Sequence, residues 1–227
     1  MCPDDRTFLP ALRFRALTPV FDRAVRVTTR EQRFKRQLVD QARIAPGGSV
    51  LDVGAGTGTL AIMVAREVPT ARVTGLDADP EILALARRKA ATAGVEIDFV
   101  EAFSTELPFP DSHFDVVLSS LFFHHLERDV KTRTLSELHR VLEPGGQLHV
   151  ADWGKPSDPV MAAATLPLRL FDGFGVTADN VSGALPGLFE QAGFEDVAVR
   201  DRLRTPLGTL ALYAARKPGA GTEMIAR

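Results

Sequence analysis

VLDVGAGTG, residues 50–58, decides the fold. A short β-branched run ends in Gly54, Gly56 and Gly58, and a helical pattern, TLAIMVAREV, follows at once. Glycines between a strand and a helix mark a backbone that turns tightly and lets a ligand come close. The loop reads GxGxG, because Thr59 stands where the dinucleotide fingerprint has its third glycine. That tells against a pyrophosphate resting on the helix N-terminus. Asp77, nineteen residues beyond Gly58, ends the next strand-like run, ARVTGLD. A carboxylate there accepts hydrogen bonds from both ribose hydroxyls of a nucleoside.

Working outward, strand-like and helix-like segments alternate. PEILALARRKAATA opens with Pro80 behind the cap Asp79 and closes before Gly94, the pattern of a capped helix. VEIDFVEA, HFDVVLSS and QLHVADW supply further strands, with a helix near 130–142 between the last two. Their continuous apolar character predicts parallel strands covered on both faces. DVAVRDRL and TLALYAARK are joined only by RTPLG, too short for a crossover helix, so an antiparallel hairpin is expected. The reading is an α/β, Rossmann-like, doubly wound, seven-stranded sheet, mostly parallel with a C-terminal antiparallel hairpin. It is read as a single domain: an N-terminal helical cap over 1–45, a core over 46–217 with a lid at 154–180, and a tail at 218–227. Within the cap, Phe34, Leu38 and Ala42 recur every four residues, and Thr29 with Gln32 has the form of a capping box.

The 227 residues are 45% hydrophobic and carry a formal charge of −2, with acids and bases interspersed. No basic field is present to hold a nucleic acid backbone. One cysteine, Cys2, excludes a disulfide framework. The acidic start MCPDDRTFLP does not read as a signal peptide, and runs such as LAIMVA are too short to cross a bilayer. A cytoplasmic protein, monomer or homodimer, is expected. Arg13, Arg15, Arg30 and Arg33 read as a solvated face, with an anionic partner as the sharper alternative.

The chain resembles the class I S-adenosylmethionine-dependent methyltransferases, in the broad group that includes the quinone-biosynthesis C-methyltransferases. The resemblance runs from about residue 45 to 217, through VLDVGAGTG, GLDADPEIL, ELPFPDSHFDVVLS and LHRVLEPGGQLHVAD, where a helix ends in EPGG before the fifth strand. It implies S-adenosylmethionine as cofactor and a small-molecule methyl acceptor. By position, Asp52, Gly54, Ala55, Gly56 and Gly58 would hold its methionine part, Asp77 the ribose, and Ser119 would line the methionine pocket, with Ala78, Phe103 and Ser104 as further cofactor contacts. Where the family commonly has an acid for the adenine amine, this chain has Phe103, beside Ser104. That substitution sustains a second reading, a non-catalytic S-adenosylmethionine-binding protein. A nucleotide-dependent oxidoreductase is a third, opposed by Thr59 and EPGG.

His124 and His125 follow the fourth strand, at the sheet edge where such folds bind ligands. A metal site is not expected of them: adjacent loop residues diverge, and His113 and His139 belong to other elements. A core role competes with proton transfer, with Asp129 as the better cap of the next helix. A base is needed only if the acceptor is a phenol or an activated carbon, and His124 is the preferred candidate. Phe122, Phe123, Trp153, Leu170, Phe171 and Phe174 are expected around an apolar or aromatic acceptor.

Overall fold

β1 (Ser49–Val53) is buried along its whole length, and its residues are shared between two cores. Val50 faces one cluster with Val116, Leu118, Leu210 and Leu212, whereas Leu51 and Val53 face another with Val117, Leu148 and Tyr213. This alternation within continuous apolar runs is what a strand covered on both faces requires. The structure, a computed structural model, describes residues 31–220. Cys2, Arg13, Arg15, Arg30, Thr29 of the capping box, most of the N-terminal cap and the end of the tail lie outside them.

The other strands are β2 (Arg72–Asp77), β3 (Asp98–Glu101), β4 (Phe114–Ser120), β5 (Leu142–Trp153), β6 (Glu195–Thr205) and β7 (Gly208–Arg216). They form one seven-stranded sheet in the order β3-β2-β1-β4-β5-β7-β6. β1 to β5 pair in parallel, and β7 pairs antiparallel with both β5 and β6. Thr205 pairs with Gly208, leaving Pro206 and Leu207 as the whole turn, so the hairpin is set by its short link. β1 lies between β2 and β4, and the direction of winding reverses there, which opens a crevice at its carboxyl end.

One face is covered by α1 (Glu31–Ala42) and α2 (Thr59–Glu67), with Phe34, Leu38 and Ala42 fully buried. α3 (Pro80–Ala93) packs beside α2 over Phe99; Asp79 caps it by accepting from the Glu81 and Ile82 N–H groups, and Gly94 closes it. The opposite face carries α4 (Arg128–Val141) and, after the lid, α8 (Leu185–Gln191). The lid itself holds α5 (Pro159–Ala164), α6 (Leu166–Asp172) and α7 (Ala178–Ser182).

Two local expectations are corrected. α4 ends at Val141, and EPGG opens β5 instead of ending the helix. There the Gly145 N–H donates to Lys217 O and the Lys217 N–H to Gly146 O, so these backbone groups are satisfied by the chain leaving β7. Asp129 does not cap α4: Glu127 holds that position without a side-chain bond, and Asp129 pairs one turn on with Arg133 at 3.3 Å.

Candidate active site

The glycine loop leaves β1 with Gly54, Gly56 and Gly58 all at positive φ. Ala55 is buried, and its N–H donates to Leu76 O at 2.9 Å, tying the loop to β2. A Cβ on Gly54 would stand 2.4 Å from the Phe122 ring, so that ring lies directly over the loop. A Cβ on Gly56 would meet nothing within 4 Å, which leaves open space for a ligand. Gly58 is different. Phe99 and Ala86 occupy the room above it, at 3.0 and 3.1 Å from a built Cβ, and its N–H donates to Ala55 O. Its lack of a side chain makes room for α3 and β3 to pack against the loop.

Asp52 is buried beneath the loop. One carboxylate oxygen accepts from the Ala61 N–H at 3.1 Å, and the other, Oδ1, is buried without a hydrogen-bond partner. Burial pushes its pKa up to about 7, against the lowering effects of Lys35 and of the Ala61 N–H. Asp77 ends β2 with one oxygen accepting from the Gly56 N–H at 2.8 Å and the other from the Asp79 N–H at 3.1 Å. Burial again raises its pKa, with those N–H groups opposing. Ala78, partly exposed, lies between the two.

The adenine-side and pocket-lining expectations are altered. Phe103 is 47% exposed, an accessible aromatic face with no acceptor. Ser104 is buried with its hydroxyl 2.8 Å from Thr134 Oγ1, turned toward α4. Ser119 is fully buried and donates to Val53 O at 2.9 Å, so its hydroxyl ties β4 to β1 instead of lining an open pocket.

β4 ends at Ser120, and Leu121 takes a left-handed φ of 55°, unusual for a residue with a branched side chain. That turn aims the next N–H groups at Asp152 on β5. Asp152 is fully buried and accepts from Phe122 N, His124 N and Trp153 N, while its Oδ1 stands 2.7 Å from His124 Nδ1. A carboxylate can only accept, so Nδ1 carries the proton and Nε2 holds the lone pair. Burial lowers the His124 pKa, but the charge and hydrogen bond of Asp152, with help from Asp172, outweigh it and the net shift is upward. The His125 side chain is only 34% exposed, and desolvation of the rest of its ring together with the neighbouring His124 holds its pKa well below the usual value.

The two imidazoles do not diverge. Their ring centroids are 3.9 Å apart at 41°, and Asp172, at the end of α6, reaches both: 3.7 Å to His124 Nε2 and 3.8 Å to His125 Nδ1. Neither Asp152 nor Asp172 was singled out from sequence. An acid inside the apolar run of β5 was a usable signal for Asp152; Asp172 gave none. Of the expected aromatic ring, Phe123 and Trp153 are core residues, and Leu170 and Phe171 are 71% and 61% exposed. Phe174 is exposed under the Arg169 guanidinium at 4.5 Å, so only Phe122 faces the loop.

Residues 50–146 match the family model described as a methyltransferase domain. The ubiquinone/menaquinone biosynthesis C-methyltransferase UbiE of Ectopseudomonas mendocina is 31% identical over 206 residues, spanning 82% of this chain and 78% of that protein. The chain belongs to the class I S-adenosylmethionine-dependent methyltransferases. A demethylmenaquinone methyltransferase of Thermus thermophilus is 39% identical over 145 residues, 63% of this chain and 65% of that protein, so the match spans just under two thirds of that relative. Among solved structures, the apo form of the S-adenosylmethionine-dependent methyltransferase SibL matches with a TM-score of 0.65 at 26% identity, covering 82% of this chain and 55% of that one. The cofactor of this methyltransferase is S-adenosylmethionine. Its residues fit that molecule, since the unpartnered Asp52 Oδ1 suits an ammonium and the space over Gly56 suits a close-lying chain. The oxidoreductase reading falls with these matches. Among the described residues, no helix is long and apolar enough to cross a membrane.

Proposed function

We propose that this methyltransferase methylates a ring carbon of a small hydroquinone-like acceptor. The observation that carries the reading is the buried Asp152–His124 pair just after β4, whose Asp152 also accepts from the N–H of Phe122, the residue over the glycine loop. A fixed base is superfluous for thiols and free amines but not for a phenolic acceptor. The relatives named for quinone C-methylation support the same acceptor class.

Bound S-adenosylmethionine supplies the methyl group and leaves as a neutral thioether. Asp52 would receive its ammonium, the Gly54–Gly56 backbone would lie along its chain, and the Asp77 carboxylate, held in place by the Gly56 N–H, would take the ribose hydroxyls. Phe103 offers a flat apolar face to the adenine. His124, held as the Nδ1–H tautomer by Asp152, takes the acceptor's hydroxyl proton on Nε2, which puts electron density on the ring carbon that attacks. The hydrogen on that carbon is then lost as the oxygen regains its proton, so one proton leaves per turnover. The chain's main contribution is alignment and exclusion of water.

The test is transfer of labelled methyl to reduced naphtho- and benzoquinones against thiols and amines. Carbon-methylated hydroquinone is expected, and His124→Gln should lower kcat by about 10²-fold or more with cofactor affinity nearly unchanged. Methylation confined to thiols or amines, untouched by that substitution, would refute the reading.

A further inference from the structure

The histidine pair has a second property that its role as a base does not use. The donor atoms of His124, His125 and Asp172 all lie within 4.8 Å of one another. We propose that these three residues form a binding site for one divalent transition-metal ion of the zinc and cobalt class, and that its occupancy switches the methyltransferase off.

The donors are near one another without yet having ligation spacing, and the two rings, with centroids 3.9 Å apart, must spread to present both nitrogens to one ion. His124 Nε2 is 3.7 Å from one Asp172 oxygen and His125 Nδ1 is 3.8 Å from the other. In a tetrahedral site with bonds of about 2.0–2.1 Å, donors stand about 3.3 Å apart, so these two contacts close by about half an ångström. The His124 ring is oriented for ligation, because its Nδ1 is bonded to the Asp152 carboxylate at 2.7 Å and Nε2 alone has a free lone pair. A carboxylate behind a ligating imidazole fixes tautomer and direction and raises ligand basicity. The exposure of His125 leaves a side open for entry and for a fourth, solvent ligand. Two imidazoles and one carboxylate favour zinc, cobalt, nickel or iron(II) over magnesium and calcium.

The charges around the site leave room for a cation. Asp152, fully buried, and Asp172, partly buried, place two carboxylates against one imidazole. Lys131 makes its hydrogen bonds elsewhere, its ammonium donating to Leu126 O and Val176 O and lying 3.5 Å from Asp179, while its charge still acts on both imidazoles and is offset at His124 by the two carboxylates. A bound metal takes the Nε2 lone pair. The inhibition, though not the binding, therefore rests on His124 acting as the base.

Full-length protein, stripped with a chelator and desalted, is titrated with Co²⁺ and followed by visible d–d absorption, with Zn²⁺ as competitor. One saturable equivalent at micromolar Co²⁺, displaced by Zn²⁺, is expected. Asp172→Asn and His125→Gln should each abolish it with circular dichroism unchanged, and Asp152→Asn should weaken it about 10–100-fold. No saturable band, or a band that survives both ligand substitutions, would overturn the site. So would a band lost in Cys2→Ser. With the site confirmed, Zn²⁺ should inhibit methyl transfer and a chelator restore it. Binding without inhibition leaves the site standing and overturns the base assignment instead.

Discussion

Asp152 Oδ1 stands 2.7 Å from His124 Nδ1, and the same carboxylate gathers the N–H groups of Phe122, His124 and Trp153. One buried acid thus sets the path of the chain leaving β4, the orientation of the imidazole and its tautomer. Asp152→Asn would keep the size but present an amide donor to donors. We expect kcat to fall about 10²-fold or more, through the wrong tautomer and a mispositioned base. Unpaired buried groups should also cost about 1–3 kcal/mol of stability, read as a lower Tm. Unchanged kcat in the folded variant would show that the pair only shapes the loop.

Asp77→Ala should weaken S-adenosylmethionine binding more than tenfold, measured by calorimetry. Two charge-assisted bonds to the ribose disappear, each worth about 1.5–3 kcal/mol. The variant also frees the Gly56 N–H that the carboxylate now holds at 2.8 Å. Binding at wild-type strength in a well-folded variant would mean the ribose lies elsewhere.

The pH dependence of cofactor binding should follow Asp52. Its pKa is about 7 in the folded protein against 3.8 ordinarily, so the fold favours the protonated carboxyl. Its contribution to stability is therefore fully present below about pH 4 and lost as pH rises through about 7. An ammonium needs the ionised form, so S-adenosylmethionine affinity should climb between about pH 6 and about pH 8. Asp52→Asn should bind more weakly and show no such climb. A climb that persists in the variant points to another group.

Lys131 pins the lid to α4. Its fully buried ammonium donates to Leu126 O and Val176 O, and burial lowers its pKa against the pull of Asp179. Lys131→Met keeps the apolar stem, leaves both carbonyls without that donor and removes a charge partner from Asp179. A loss of about 3–5 kcal/mol is expected, with faster hydrogen exchange in residues 173–183 than in the sheet. Uniformly faster exchange would mean the lid is not a separate unit.

Phe103→Asp tests the adenine side. The half-exposed ring has no acceptor to offer, whereas a carboxylate at this place accepts from an amine. Affinity for S-adenosylmethionine should rise or hold. A clear fall would show that the ring face itself binds adenine.

The sequence by itself determined the elements whose signals are local. The glycine loop between β1 and α2, the Asp79 and Gly94 caps of α3, and the β6–β7 hairpin each follow from neighbours a few residues apart, where backbone geometry is dictated by residue type. The acid at the end of β2 was legible for the same reason. Tertiary structure alone decided which polar groups remain available. The Ser104 and Ser119 hydroxyls and the space above Gly58 are taken up by Thr134, Val53 and Phe99, contacts that no local pattern announces. The histidine site was illegible for a different reason. Asp152 and Asp172 come from a central strand and a lid helix, and neither carries a local pattern that points at His124. Only the parallel register of β4 on β5, Ser120 against Ala151, brings that acid beneath the turn at Leu121, and only the folded lid brings the second carboxylate over the rings. Adjacent side chains diverge in an extended chain. Here, in the short 3₁₀ turn at Phe123–His125, the two rings lie with centroids 3.9 Å apart and tilted by 41°, and Asp172 reaches both.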